Sequence, residues 1–160
     1  MKKILIVLLT VFMLFGCTSK PSDDQDIDLK ATLNELMDGA DAPDCDTMEL
    51  DKDSFAGIAY IPYEEGYKAV VSEAMINAVA HCAVIVQVPS TSDTSKLAQE
   101  MLDNANPRKW ICVEAEKTVV CYTDNLIVLV MSFTDVADKV VSNFQNKYSN
   151  GHVLEKNNLE

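Results

Sequence analysis

The chain has 160 residues, is 48% hydrophobic and carries a formal net charge of −12 at pH 7. That length suits one domain behind a short leader, and so acidic a balance repels nucleic acid and anionic membrane surfaces. No nucleic-acid partner is therefore expected, and acidity of this kind serves solubility.

The chain opens with Lys2-Lys3 and an apolar run from Ile4 to Phe15. A helix of that length covers only about 18 Å, short of the roughly 30 Å of a hydrocarbon core. It suits the apolar part of a secretory leader instead. The run ends at Leu14-Phe15-Gly16-Cys17. Leu14, Gly16 and Cys17 resemble the lipobox of bacterial lipoproteins, whereas Phe15 departs from its usual small residue. The resemblance implies that residues 1–16 are a signal peptide and that Cys17 is the lipidation site, carrying a thioether-linked diacylglyceryl group. The protein is then expected on the extracytoplasmic face of the cell membrane, with the membrane as a partner through that lipid. Two or more acyl chains anchor firmly, because each buried CH₂ contributes about 0.8 kcal/mol. The competing reading is a plain secretory leader, or an uncleaved anchor, with an incidental cysteine.

Residues 17–28 follow as a tether. Thr18 to Asp28 reads TSKPSDDQDID, without apolar periodicity and rich in Ser, Asp and Pro, as in flexible linkers. A single domain is expected over residues 29–150, with a polar tail over 151–160.

Leu29 to Ala40 places Leu29, Leu33, Leu36 and Met37 on one helical face, with Asp28 as N-cap and Gly39 as a stop. Asp41 to Asp53 is acid-rich and invites a calcium reading. The spacing fails, because Met48 and Glu49 stand where a calcium loop needs an acid and a glycine. A solvated acidic loop is expected. Phe55 to Pro62 reads as a short strand closed by Pro62. Tyr67 to Ile76 is ambiguous: Tyr67, Val70, Val71 and Ala74 fit a helix, while the β-branched pair fits a strand. It is taken as the hairpin partner of His81 to Pro89, which is dense in Val and Ile.

Ser92 to Asn106 predicts a helix with Leu97, Ala98, Met101, Leu102 and Ala105 on one face, capped by Ser92 and ended by Pro107. Ile111 to Val113 is a short extended piece. Thr118 to Tyr122 and Leu126 to Phe133 are strands, joined at Asp124-Asn125 by a turn in which both residues tolerate positive φ. Thr134 is expected to cap a last helix, running to Tyr148, with Ala137, Val140, Val141, Phe144 and Tyr148 on one face. The tail after Asn150-Gly151 is expected to fray. The element order is α-β-β-β-α-β-β-α, which predicts an α+β fold: an antiparallel sheet of about five strands packed with three helices. The blocks 67–106 and 118–148 share a hairpin-then-helix order, and a loose structural repeat is the lesser of the two readings open to them.

From about Leu29 to Tyr148 the chain resembles uncharacterised lipoproteins of Gram-positive, largely anaerobic gut bacteria that carry one domain of unknown function. The likeness rests on the start helix, Val88-Pro89, the helix leading into Asn106-Pro107-Arg108-Lys109-Trp110, and Leu126 to Ser132. It implies export and lipidation and no particular activity. The sequence departs from that pattern at the first hairpin turn, where Ala80-His81 replaces an expected acid.

Cysteine and histidine usage offers no catalytic or metal constellation. Cys45, Cys82, Cys112 and Cys121 have no zinc spacing; the last three sit in apolar stretches and are expected as buried free thiols rather than disulfides. His81 opens an apolar strand, and Cys82 beside it points to the opposite face, so the two cannot act as a base and nucleophile. No phosphate-binding glycine loop exists, and no cofactor is expected. Two patches stand as binding candidates: Tyr60, Tyr63 and Tyr67 around Pro62, and Arg108 with Trp110, the only Arg and the only Trp of the chain. Each has an ordinary alternative, aromatic core closure for the tyrosines and a local ion pair with helix-end packing for Arg108 and Trp110.

These readings favour a membrane-anchored, non-catalytic binding module of the cell envelope, its partner an envelope protein or small ligand. The alternative is an envelope enzyme with an acidic site within Asp41 to Asp53.

Overall fold

The computed structural model describes residues 26–158. The leader, Cys17 and the tether up to residue 25 lie outside the described residues. Ten elements follow: α1 (Leu29–Leu36), β1 (Cys45–Glu49), α2 (Lys52–Ala59), β2 (Lys68–Ala74), β3 (Cys82–Gln87), α3 (Thr94–Asn104), β4 (Lys117–Tyr122), β5 (Leu126–Ser132), α4 (Thr134–Lys147) and β6 (His152–Asn157). The α+β class and the antiparallel sheet agree with the expectation; the counts are larger, six strands and four helices.

The strands form one antiparallel sheet in the order β1-β2-β3-β5-β4-β6. Its centre is buried on both faces: every residue of β3 and β5 is buried. That explains why CAVIVQ and LIVLVMS are continuous apolar runs rather than alternating ones. Val71, Val84, Val120 and Leu129 face a core closed by Phe55 and Ala59 of α2 and by Ala98 and Met101 of α3. Val70, Ile85, Val119 and Val128 face a second core closed by Leu33 and Leu36 of α1 and by Val140 and Phe144 of α4. Each Val, Leu or Phe fully buried here contributes about 1.5–3 kcal/mol before entropy is subtracted.

The connections β3–α3–β4 and β5–α4–β6 each pass over one intervening strand. Both move the same way along the sheet but start from strands of opposite direction. Crossovers of one hand must then set their helices on opposite faces, and α3 and α4 do lie on opposite faces. A rotation exchanging β3 with β5 would put both helices on one face. The likeness of 67–106 and 118–148 is therefore one of element order only.

Several sequence expectations are corrected. Phe55 to Pro62 is not a strand. Asp51 accepts hydrogen bonds from the Ser54 N–H at 2.8 Å and Ser54 Oγ at 2.6 Å, starting a helix that buries Phe55 and Ala59 one turn apart. The helix ends at Tyr60, the one non-glycine of positive φ (60°) among the described residues. The acidic loop contains β1, paired with β2 from Cys45↔Ala74 to Glu49↔Val70. The tail does not fray at 151, because β6 pairs with β4 along its whole length. Both are edge strands whose exposed charges, Asp46 and Glu49 or Glu155 and Lys156, discourage further pairing. The last residues assigned to the tether are docked: Asp28 caps α1 by accepting the Ala31 N–H at 2.9 Å, and Asp26 pairs with Lys68 at 2.6 Å.

Caps differ as well. Asp93, not Ser92, caps α3 by accepting the Lys96 N–H at 3.1 Å. Thr134 is the first residue of α4 rather than its cap. The Glu116 carboxylate takes over that role, accepting the Thr134 N–H at 2.9 Å and Oγ1 at 3.1 Å. Asp124 and Asn125 turn the β4–β5 hairpin without positive φ.

Candidate functional site

Strand pairing sets Glu73 of β2 directly opposite Cys82 of β3. By alternation both face the α2–α3 side of the sheet. The loop after α3 returns over this end and lowers Lys109 onto the pair. The Lys109 Nζ donates to the Glu73 carboxylate and lies 3.5 Å from the Cys82 Sγ. The same ammonium sits 5.5 Å from the centre of the Trp110 ring, within cation–π range. Glu73, Ala74, Asn77, Lys109, Trp110 and Ile111 line a small cavity of about 230 Å³.

The electrostatics are self-consistent. Burial opposes the Lys109 charge, but the hydrogen-bonded Glu73 carboxylate outweighs it and holds the Lys109 pKa above the ordinary lysine value. Burial pushes the Cys82 thiol up to about 12. At neutral pH the thiol keeps its proton, so Glu73 is the group that balances Lys109. Burial likewise raises the Tyr60 pKa, against the opposing field of Lys109. The Tyr60 phenol therefore lies within range of the Lys109 charge. A protonated buried thiol and a paired lysine provide recognition chemistry, not an activated nucleophile.

The candidate residues therefore divide. Trp110 and Tyr60 meet around Lys109. Tyr63 and Tyr67 belong elsewhere: their rings pack against Phe55 at 5.4 and 6.0 Å and against each other at 6.5 Å, closing the core beneath α2. Tyr67 is buried, with its hydroxyl 3.4 Å from Glu64. Arg108 points away and pairs with Glu114 at the surface. Glu73 does not stand out in the sequence; Lys109 does so only within the cationic run Arg108-Lys109-Trp110, and Cys82 only as a buried thiol. The usable signal was Glu73, a lone acid at the end of an apolar strand that needed a cation across from it.

The remaining groups are structural or separate. His81 is completely buried, with Nδ1 2.8 Å from the Ser132 Oγ and Nε2 without a hydrogen-bond partner. Burial lowers its pKa to about 4. The four cysteines among the described residues are all unpaired. Cys82 and Cys121 are buried as expected, but Cys45 is half-buried and Cys112 is exposed, because residues 111–112 form a surface bend rather than the expected extended piece. Within Asp41 to Asp53 the acids do not converge: Asp51 is held by Ser54, and Asp46 and Glu49 are exposed on β1. Among the described residues no group of three or more His, Cys, Asp or Glu could hold a metal ion.

Three large apolar side chains stand exposed in the segments that carry the cavity, and one of them, Ile111, lines it. Met75 is 70% exposed, Ile76 66% and Ile111 90%. Met75 and Ile76 connect Ala74 to Asn77, both in the cavity wall, and the Met75 N–H is tied to the Asp44 carbonyl at 3.0 Å.

No protein family, curated protein or solved structure matches the chain. Among the described residues no helix is long and apolar enough to cross a membrane.

Proposed function

We propose that this protein is a lipid-anchored binding module of the cell envelope, held on the extracytoplasmic face of the cell membrane through Cys17 and engaging an envelope protein or a small ligand without catalysis. The observation that carries this reading is the group of exposed apolar side chains in the segments that carry a charge-balanced cavity. Met75, Ile76 and Ile111 are bulky side chains left in water beside Trp110. Apolar groups gathered at one spot mark an interaction site more often than scattered ones do.

Two measurements test the reading separately. Cys17→Ser should move the protein from the membrane fraction to the soluble fraction; retention in the membrane would sink the lipid anchor. Trp110, as the only Trp, should shift its emission when the cavity is filled. An unchanged spectrum across saturating ligand screens would count against a binding role.

A further inference from the structure

The connection from β2 to β3 is exposed over residues 75–78 and then turns inward. Ala80 enters the α2–α3 core, and His81 enters the opposite face beside Ser132. Extending the strand register by one position sets His81 between Ala74 of β2 and Ser132 of β5. Its carbonyl accepts the Ala74 N–H at 3.2 Å, and its own N–H donates to the Val79 carbonyl at 3.1 Å. Two further backbone bonds brace the connection, from the Met75 N–H to the Asp44 carbonyl and from the Val79 N–H to the Ile76 carbonyl. The imidazole thus pins the returning limb of an otherwise exposed turn, and that turn supplies Asn77 to the cavity wall.

The place that holds the ring suits only its neutral form. Neutral imidazole has one donor and one acceptor, whereas imidazolium has two donors. The Ser132 hydroxyl, 2.8 Å from Nδ1, can accept one of them. Nothing meets Nε2, which is buried without a partner. A sealed cation with an unmet N–H is costly. No neighbouring charge offsets that cost. Glu73 of β2 is the one charge whose field favours the cation, and it is already paired with Lys109. Along the same row of the sheet, Cys45 of β1 has its thiol pKa raised by burial and stays neutral in acid. Lys117 of β4, across from Ser132, is held by Asp138 of α4 and Glu155 of β6. Glu35 of α1 is paired with Lys147 of α4.

We infer that His81 is an acid-operated catch: on protonation its ring turns out to water, residues 75–81 leave the end of the sheet, and the cavity of Glu73, Lys109 and Trp110 loses one wall. The ring stands one residue before β3, so its departure breaks only bonds at the sheet's end. The pairing of β2 with β3 from Lys68↔Gln87 to Glu73↔Cys82 stays, as does the seam of β3 with β5. Release of this connection therefore comes before unfolding of the domain. The direction follows from the ring's depressed pKa, about 4 against 6.5: the catch is closed above pH 6.5 and gives way as the folded chain is driven to take up the proton toward pH 4. The consequence for binding rests on the reading above; the release itself does not.

The test uses the Cys17→Ser protein with residues 1–16 removed. Backbone hydrogen exchange is followed by mass spectrometry from pH 6.5 to 4, corrected for the intrinsic exchange rate. Protection over residues 74–81 should fall at least about tenfold while residues 126–132 of β5 keep theirs. Trp110 emission should shift over the same range. His81→Leu/Ser132→Ala should hold both signals level. Ser132→Ala alone, which keeps the ring and removes its hydrogen-bond partner, should release the connection at higher pH. The proposal is overturned if residues 74–81 stay protected, or if they lose protection together with β5. It is also overturned if the double variant responds to acid as the parent does, if Ser132→Ala leaves the response where it was, or if the connection opens with Trp110 emission unmoved. The binding reading fails on a different result, a Trp110 spectrum that no ligand shifts at neutral pH, so the two are separable.

Discussion

The two faces of the sheet each admit polar groups at the same end, and they treat them oppositely. On the α2–α3 face, Lys109 meets Glu73 beside an open cavity, so two charges enter together and solvent stays near. On the other face His81 enters alone, sealed from water, with only the Ser132 hydroxyl on one ring nitrogen. A pair at a half-open site keeps its charge; a single titratable group in a closed core gives its charge up. The first arrangement suits recognition, the second makes the fold sensitive to acid.

The largest expected effect breaks the sealed side. The folded-state pKa of His81 is depressed from 6.5 to about 4. Between these values the unfolded chain binds more protons than the folded one, so stability is full above pH 6.5 and falls as the pH drops toward 4. The loss should reach about 3 kcal/mol, read as a falling urea midpoint. His81→Leu/Ser132→Ala removes the titration without orphaning the hydroxyl, and should flatten this part of the curve. A variant curve that still falls as steeply would assign the acid sensitivity to other groups.

A smaller effect should follow from separating the pair on the open side. Glu73→Gln leaves Lys109 without its counter-charge. Because both side chains keep some contact with water, the expected cost is about 1 kcal/mol rather than that of a fully buried pair. Adding Lys109→Met should recover part of that stability while changing Trp110 emission, since the ammonium leaves the ring. A double variant no more stable than the single one would mean that Lys109 contributes through its aliphatic stem rather than its charge. The smallest effect belongs to the surface pair of Arg108 and Glu114. Arg108→Gln should shift stability by no more than about 0.5 kcal/mol in thermal melts. A clearly larger loss would show that this loop helps to hold Lys109 in place.

Legibility in the sequence followed how each element is stabilised. β3, β5, α3 and α4 are held by side chains, so apolar runs and helical spacing revealed them. β1 and β6 are held by backbone pairing to β2 and β4 and keep their charges in solvent, so a reading based on apolar pattern passes over them. Phe55 to Pro62 misled for another reason: a short apolar run with a closing proline suggests a strand, while Asp51 three residues before Ser54 decides for a helix. For the site, Trp110 and Tyr60 stood out as rare or clustered aromatics. Their link to Glu73 and Cys82 depends on a contact between residues 36 and 27 positions apart, which no local spacing displays.

The placement of β5 between β3 and β4 also constrains how the chain reaches its native state. β2 with β3 and β4 with β5 are joined by short connections, so each hairpin forms from local contacts on a timescale of about 1–10 μs. The seam between β3 and β5 joins residues as far apart as Cys82 and Met131, and nothing local brings them together. Because β5 lies inside the crossover from β3 to β4, the second hairpin must dock as a unit with α3 already turned aside. Closure of that seam should therefore set the folding rate, and β6 can add to the sheet only once β4 is in place.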